Sequence, residues 1–174
     1  MNIAQPFLNR ARSHPRLPAV TCSGHTMLYG ELAQRCQALA GGMLSQLGMQ
    51  SGQRVILCME NRLAFFETLF ACWVAGMCPV PVNAKLHPKE VRHIAIDSGA
   101  SALFCSETLH DGLQQALKDD LRHVHLVSVD APDYAQMQMH APIPAVAFHP
   151  DDIAWIFYTS GTTGCLLYTS DAAD

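Results

Sequence analysis

Apolar and polar positions along the chain follow two periods, and each change of period marks an element boundary. Residues 4–13 are amphipathic at helical spacing, with Pro6 near the start, where a missing N–H costs nothing, and with Pro15 and Pro18 as stops. Residues 19–22 and 26–29 are short β-prone runs around Ser23-Gly24-His25, the pattern of a hairpin. Over residues 31–48, Leu32, Cys36, Leu39, Met43, Leu44 and Leu47 form one apolar helical stripe, with Gly48 placed as the C-cap. Residues 54–59 read as a strand whose continuous apolar run suits burial on both faces.

Asn61 is positioned to cap a helix over residues 62–75, apolar nearly all round and stopped by Gly76, so this helix is expected to be buried. Residues 77–82 resume as a strand, which Pro79 and Pro81 push toward an edge or an end. Pro88 opens a helix at residues 89–97, and Ser98-Gly99 closes it. A strand at 101–105, a helix at 107–118 and a strand at 123–129 follow. Residues 130–150 contain Pro132, Pro142, Pro144 and Pro150 without a clear period, and read as a long surface connection to a last buried strand at 153–157. Strands alternating with helices predict an α/β fold with a largely parallel sheet flanked by helices.

Composition narrows the function classes. The 174 residues suffice for a sizeable core, and a formal charge of −4 with 11 scattered Lys plus Arg gives no support to nucleic-acid binding. The seven cysteines are odd in number and lack a Cys-x-x-Cys pair, so they read as small buried hydrophobes of a reducing compartment. The first 16 residues carry Asn9, Arg10, Arg12 and His14 and no signal-peptide core, and the expected location is cytoplasmic. Residues 63–82 are the longest apolar stretch, but Glu67, Pro79 and Pro81 make it a buried helix and strand in preference to a membrane span.

The strand at 153–157 leads into Tyr158-Thr159-Ser160-Gly161-Thr162-Thr163-Gly164. Two glycines permit close backbone approach and four hydroxyl residues supply donors, so the loop is equipped to surround an anion such as phosphate. It is not a Walker A loop, because Gly164 is followed by Cys165, and it is not a nucleophile elbow, because the residue two before Ser160 is Tyr158 and not glycine. A Ser/Thr/Gly-rich surface turn is the plain alternative on composition alone.

The seven residues resemble the phosphate-binding signature of the adenylate-forming (AMP-binding) superfamily, which includes acyl-CoA synthetases, aryl-CoA ligases, luciferases and peptide-synthetase adenylation domains. Leu28-Tyr29-Gly30-Glu31-Leu32 resembles that family's early Thr-Tyr-x-Glu-Leu segment, with Leu28 in place of threonine, and Val74-Ala75-Gly76-Met77-Cys78-Pro79-Val80-Pro81-Val82-Asn83 resembles a second segment. The resemblance covers residues 1–164 and implies part of the N-terminal region of the large domain. It further implies an ATP-dependent carboxylate–CoA ligase, in which a carboxylate attacks the α-phosphate of ATP and the acyl group then passes to the thiol of coenzyme A, with Mg2+ accompanying the nucleotide. Thr159, Ser160, Gly161, Thr162, Thr163 and Gly164 would hold the β- and γ-phosphates, none of them as a catalytic nucleophile. The family's residues for adenine, ribose, magnesium, the acyl pocket and the catalytic lysine belong to later sequence, so this chain alone is not expected to be active. The stretch from Cys78 to Pro88 looks more like fatty or aryl acyl-CoA synthetases than peptide-synthetase domains.

After Gly164 the family continues with one residue and Pro-Lys-Gly, whereas here the chain reads Cys-Leu-Leu-Tyr-Thr-Ser-Asp-Ala-Ala-Asp. The DNA string TGT CTC TTA TAC ACA TCT GAC GCT GCC GAC, which looks like a transposon-end adapter of sequencing libraries, translates to the same ten residues. Residues 165–174 are therefore expected to be a non-native tail. A competing functional class is a stand-alone, non-catalytic α/β module that binds phosphate or a partner. Three further groups are candidates: His123 and His125 as metal ligands on one strand face, Asp119-Asp120 and Asp151-Asp152 as acid/base pairs, and Cys105 as a nucleophile. No third ligand has a fixed relation to the two histidines, and the others read more plainly as solvated charges at element ends and a core thiol.

Overall fold

The computed structural model describes residues 2–119, 121–149 and 151–159. The chain opens with α1 (Gln5–Ser13), the hairpin strands β1 (Pro18–Cys22) and β2 (His25–Leu28), and α2 (Tyr29–Gln46). It continues as β3 (Arg54–Cys58), α3 (Leu63–Val74), β4 (Cys78–Val82), α4 (Pro88–Ser98), β5 (Ala100–Cys105), α5 (Glu107–Leu117), β6 (His125–Ser128) and α6 (Pro132–Met137). The antiparallel hairpin stands apart from a four-stranded sheet of order β4-β3-β5-β6, whose paired strands are all parallel.

Side-chain alternation along the central strands fills two cores. Val55 and Leu57 of β3 and Ala102 and Phe104 of β5 face one cluster, with residues of α2, α3 and α6. Ile56, Cys58, Leu103 and Cys105 face the other, with Val91 and Ile94 of α4 and Leu113 and Leu117 of α5. The path agrees with a single crossover hand: β3 to β4 runs one way along the sheet with α3 on one face, while β4 to β5 and β5 to β6 run the other way with α4 and α5 on the opposite face. The 63–82 stretch is thus α3 followed by β4, and no helix among the described residues is long and apolar enough to cross a membrane.

Local chemistry corrects three of the sequence expectations. The N-cap of α3 is Arg62, with no side-chain cap bond, and not Asn61. The opening of α4 is a capping box that the sequence reading missed, in which His87 accepts from the helix backbone and Glu90 accepts from the His87 N–H at 2.8 Å. Residues 130–150 are not a plain surface connection, since α6 docks there with Tyr134 and Met137 buried. Its docking depends on Gly42, where an added Cβ would lie 2.6 Å from the backbone of Met137.

Glu67 locks that helix in place. Its carboxylate is 1% exposed and accepts from Arg35 Nε at 2.6 Å, Tyr134 Oη at 2.8 Å and Gln138 Nε2 at 2.6 Å. Three helix-side elements, α2, α3 and the end of α6, therefore meet on one carboxylate, and no described buried side-chain polar atom is left without a partner. The charge is compensated by a guanidinium that remains partly in water, its side chain 41% exposed. Burial, with the neighbouring carboxylate, holds the Tyr134 hydroxyl well above the usual phenol range. Glu67→Ala, which strands the Tyr134 and Gln138 donors, is expected to destabilise the protein by about 2–4 kcal/mol. Tyr134→Phe should cost only about 1 kcal/mol, and urea unfolding midpoints of the two variants test the order.

Candidate phosphate-loop site

The site is approached along the outer edge of β4. Cys78 donates to the Gln53 carbonyl at 2.9 Å, so Cys78, Val80 and Val82 turn their backbone groups toward β3, and Pro79 and Pro81 turn theirs outward. Prolines have no N–H, so among the residues of this edge only carbonyls face the next segment. The segment at 153–157 responds with one donor: Ile156 N–H bonds the Pro79 carbonyl at 3.1 Å. It does not form the regular strand expected from its composition, and only an isolated bridge occurs at Phe157.

Side chains replace the missing ladder. Trp73 Nε1 donates to the Ala154 carbonyl at 2.8 Å, and its ring packs edge-on against Trp155 at 5.6 Å between centroids. Trp155 packs on the α3 side of the sheet, whereas Ile156 and Tyr158 pack on the α4 side, so the segment is extended and continues the two-faced packing of the sheet. Tyr158 Oη then donates to Asp97 Oδ2 at 2.6 Å, near the end of α4. Burial, followed by that bond and the charge of Asp97, raises the Tyr158 hydroxyl above its ordinary range, so it is a neutral donor at physiological pH. Thr159 is exposed directly after this anchor. Of the loop residues singled out in the sequence, Ser160, Gly161, Thr162, Thr163 and Gly164 lie outside the described residues.

A second polar grouping sits at the carboxyl ends of β3, β5 and β6, the crevice where open α/β sheets often take ligands. Arg62 forms a two-pronged ion pair with Asp130, whose Oδ2 also accepts the Glu107 N–H at 3.0 Å. Ser128 Oγ donates to Glu107 at 2.5 Å. The Asp130 carboxyl is held below its usual range by the Arg62 hydrogen bond first and the Glu107 N–H second, and Glu60 is lowered by a backbone bond and then by Ser106. With three carboxylates to one guanidinium, this crevice disfavours an anion, and its polar groups already satisfy one another.

A profile of the family described as "AMP-binding enzyme" matches residues 7–165, nearly the whole chain. The chain belongs to the AMP-binding enzyme family. It is 35% identical over 157 residues to a feruloyl-CoA synthase of Amycolatopsis sp, covering 90% of this chain and 30% of that protein. It is 33% identical over 160 residues to triostin synthetase I of Streptomyces triostinicus, covering 88% and 30%. Among solved structures, a benzoate CoA ligase from Burkholderia xenovorans LB400 superposes with a TM-score of 0.79 at 26% identity over 90% of this chain and 32% of that one. The chain thus spans about a third of the length of the relatives it matches. These matches agree with the α/β architecture and with the family resemblance of the sequence motifs.

Within an AMP-binding enzyme the remaining candidates take plain roles. His123 lies outside β6, so it does not share a strand face with His125, and both are exposed. Among the described residues no group of three His, Cys, Asp or Glu is arranged to hold a metal ion. Asp152 caps the turn at His149, accepting its N–H at 2.7 Å, while Asp151 is exposed and beside the His149 imidazole; Asp120 is outside the described residues. A groove of about 490 Å3 between α1, α2 and residues 142–145 is lined by Leu8, Ala33, Gln37, Pro142 and Pro144.

Cys105 is a core thiol. It is opposite Cys58 in the β3–β5 register, both are buried, and burial pushes Cys105 up to about 12 and Cys58 to about 11. Neither forms thiolate near neutral pH. Native-state labelling with iodoacetamide at pH 7.5, read by peptide mass spectrometry, is expected to spare Cys36, Cys58, Cys72, Cys78 and Cys105, and to reach them once the protein is unfolded. Rapid native labelling of Cys105 would restore it as a nucleophile candidate.

Proposed function

We propose that the chain is part of an ATP-dependent carboxylate–CoA ligase whose Thr159, Ser160, Gly161, Thr162, Thr163 and Gly164 bind the β- and γ-phosphates of ATP. The observation that carries this reading is the hydroxyl- and glycine-rich loop at the end of a segment pinned to the sheet by Trp73, Pro79 and Asp97 in a member of the AMP-binding enzyme family. Ser160, Thr162 and Thr163 supply hydroxyl donors, while Gly161 and Gly164 let backbone N–H groups approach the leaving pyrophosphate. Mg2+ enters with the nucleotide, and coenzyme A takes the acyl group in the second half-reaction. The protein's part in such phosphoryl chemistry is chiefly to position charge and to neutralise it.

The acyl substrate we assign to the fatty or aryl carboxylates, on the Cys78–Pro88 stretch and in line with the feruloyl-CoA synthase relative. Residues 165–174 we read as a non-native tail; in support, the family match ends at residue 165. On this reading the 174 residues alone bind no ATP at millimolar nucleotide and form no acyl-adenylate. Resequencing the junction after codon 164 from intact DNA should show Pro-Lys-Gly codons and further open frame, and a genuine stop codon would instead favour a stand-alone binding module.

In the full-length protein, pyrophosphate exchange should depend on a fatty or aryl carboxylate, and exchange with amino acids only would reject the substrate class. Ser160→Ala should slow the adenylation half-reaction about 10- to 100-fold, the loss expected for one hydrogen bond to a charged group. A serine-directed inhibitor should leave no adduct at Ser160, and a stoichiometric adduct there would overturn the phosphate-binding assignment.

A further inference from the structure

We propose that Asp97 is a positioning residue for the phosphate loop, acting through the Tyr158 hydroxyl; this rests on the proposal that the loop holds ATP phosphates. The need for such a residue comes from the edge itself. Pro79 and Pro81 direct no N–H toward residues 153–157, so a ladder of alternating donors and acceptors cannot set where that segment lies. Three separate contacts at alternate residues do so instead: Trp73 of α3 on the Ala154 carbonyl, the Pro79 carbonyl on the Ile156 N–H, and Asp97 of α4 on Tyr158. They come from both helical layers and from the edge strand between them.

The Asp97 contact is the last of the three and stands one residue before Thr159, so it governs where the loop starts. Asp97 is exposed and sits on α4 between Ile96, also exposed, and the buried Ser98, whose hydroxyl donates to the Ile94 carbonyl at 2.6 Å and also interacts with the Tyr158 hydroxyl. An exposed bond of this kind adds little to global stability. Its consequence is placement: loss of a positioning contact that shifts reacting groups by about 1 Å can cost up to about 100-fold in rate.

The test uses the full-length protein with a fatty or aryl carboxylate and compares the two half-reactions. Asp97→Ala is expected to raise KM for ATP and lower kcat/KM for adenylation about 3- to 10-fold, the discounted value of one exposed charge-assisted bond. Thioester formation from preformed acyl-adenylate should be unchanged, whereas a general folding defect would lower both steps. Asp97→Asn, which keeps the acceptor, should restore most of the loss, and Tyr158→Phe should reproduce it. The double variant Asp97→Ala/Tyr158→Phe should be no worse than either single one. These near-isosteric variants keep the test available if Asp97→Ala does not fold.

An unchanged KM for ATP in Asp97→Ala, or additive losses in the double variant, would overturn the inference. If Ser160→Ala is impaired while the Asp97 variants are not, only the positioning role fails. If Ser160→Ala is also unimpaired, the phosphate-loop reading itself fails.

Discussion

Parallel strands buried on both faces need cover on both, and this requirement arranges the molecule around β3 and β5. Each strand must present apolar side chains at every position, and each following helix must pack on the face that its crossover hand dictates. The reversal of direction at β4 sends α3 to one face and α4 to the other, so the two helices that flank the edge strand lie on opposite sides of the sheet. A segment laid along that edge is therefore within reach of both layers. Trp73 and Asp97, which grip the 154–158 segment from α3 and α4, occupy their places because of this topology.

The apolar faces also decide where charge is tolerated. Glu67 lies in the middle of the most apolar helix, and its burial is affordable only because α2 and α6 bring Arg35, Tyr134 and Gln138 to it. Such a site contributes less to net stability than to choosing one arrangement, since a misdocked α6 would leave a buried carboxylate with too few donors. Gly42 adds a steric condition to the same interface, because only a residue without Cβ admits the Met137 backbone. The polar network and the close approach select one position for the chain that leads on toward residues 142–146, where Val146 bonds Val74 at 2.8 Å and Ile143 bonds Gln37 at 3.2 Å.

The sequence was most informative where one physical signal dominated. Apolar periodicity located α2, β3, α3, β5 and α5 closely, and Gly99, at φ 62°, caps α4 as its place after Ser98 suggested. Pro79 and Pro81 correctly implied an edge for β4. Legibility ended where the stabilising partner is distant in the chain. Pro132 looks like a breaker in sequence although it stands at the start of α6, because the partners of Tyr134 and Met137 are Glu67 and the Gly42 face, 67 and about 95 residues away. The run at 153–157 looks like a strand in sequence because β propensity does not reveal that its neighbour offers only carbonyls. Its anchors, Trp73 and Asp97, were likewise hidden among ordinary helix residues. Ser, Thr and Gly composition alone does not separate a phosphate loop from a turn, so the reading of residues 158–164 rests on family resemblance.

The charges at the carboxyl ends of the strands make the crevice a poor place for an anion. At the carboxyl ends of β3, β5 and β6, Glu60, Glu107 and Asp130 outnumber Arg62, and the Asp130 and Glu60 carboxyls are held below their ordinary range, so they stay ionised through the physiological pH range. Their stabilising contribution, present above the unfolded-state value, is lost only as pH falls through the lowered folded-state value, and at neutral pH the crevice retains its negative excess. An incoming phosphate would meet that excess after breaking the Arg62–Asp130 pair. At the β4 edge the one carboxylate among the described contacts, Asp97, already accepts from Tyr158, and the next residues carry hydroxyl and backbone donors without any acidic side chain as far as residue 164. The crevice thus repels anions, and the segment at 154–158 is held along the β4 edge by side chains because the edge prolines have removed the backbone donors.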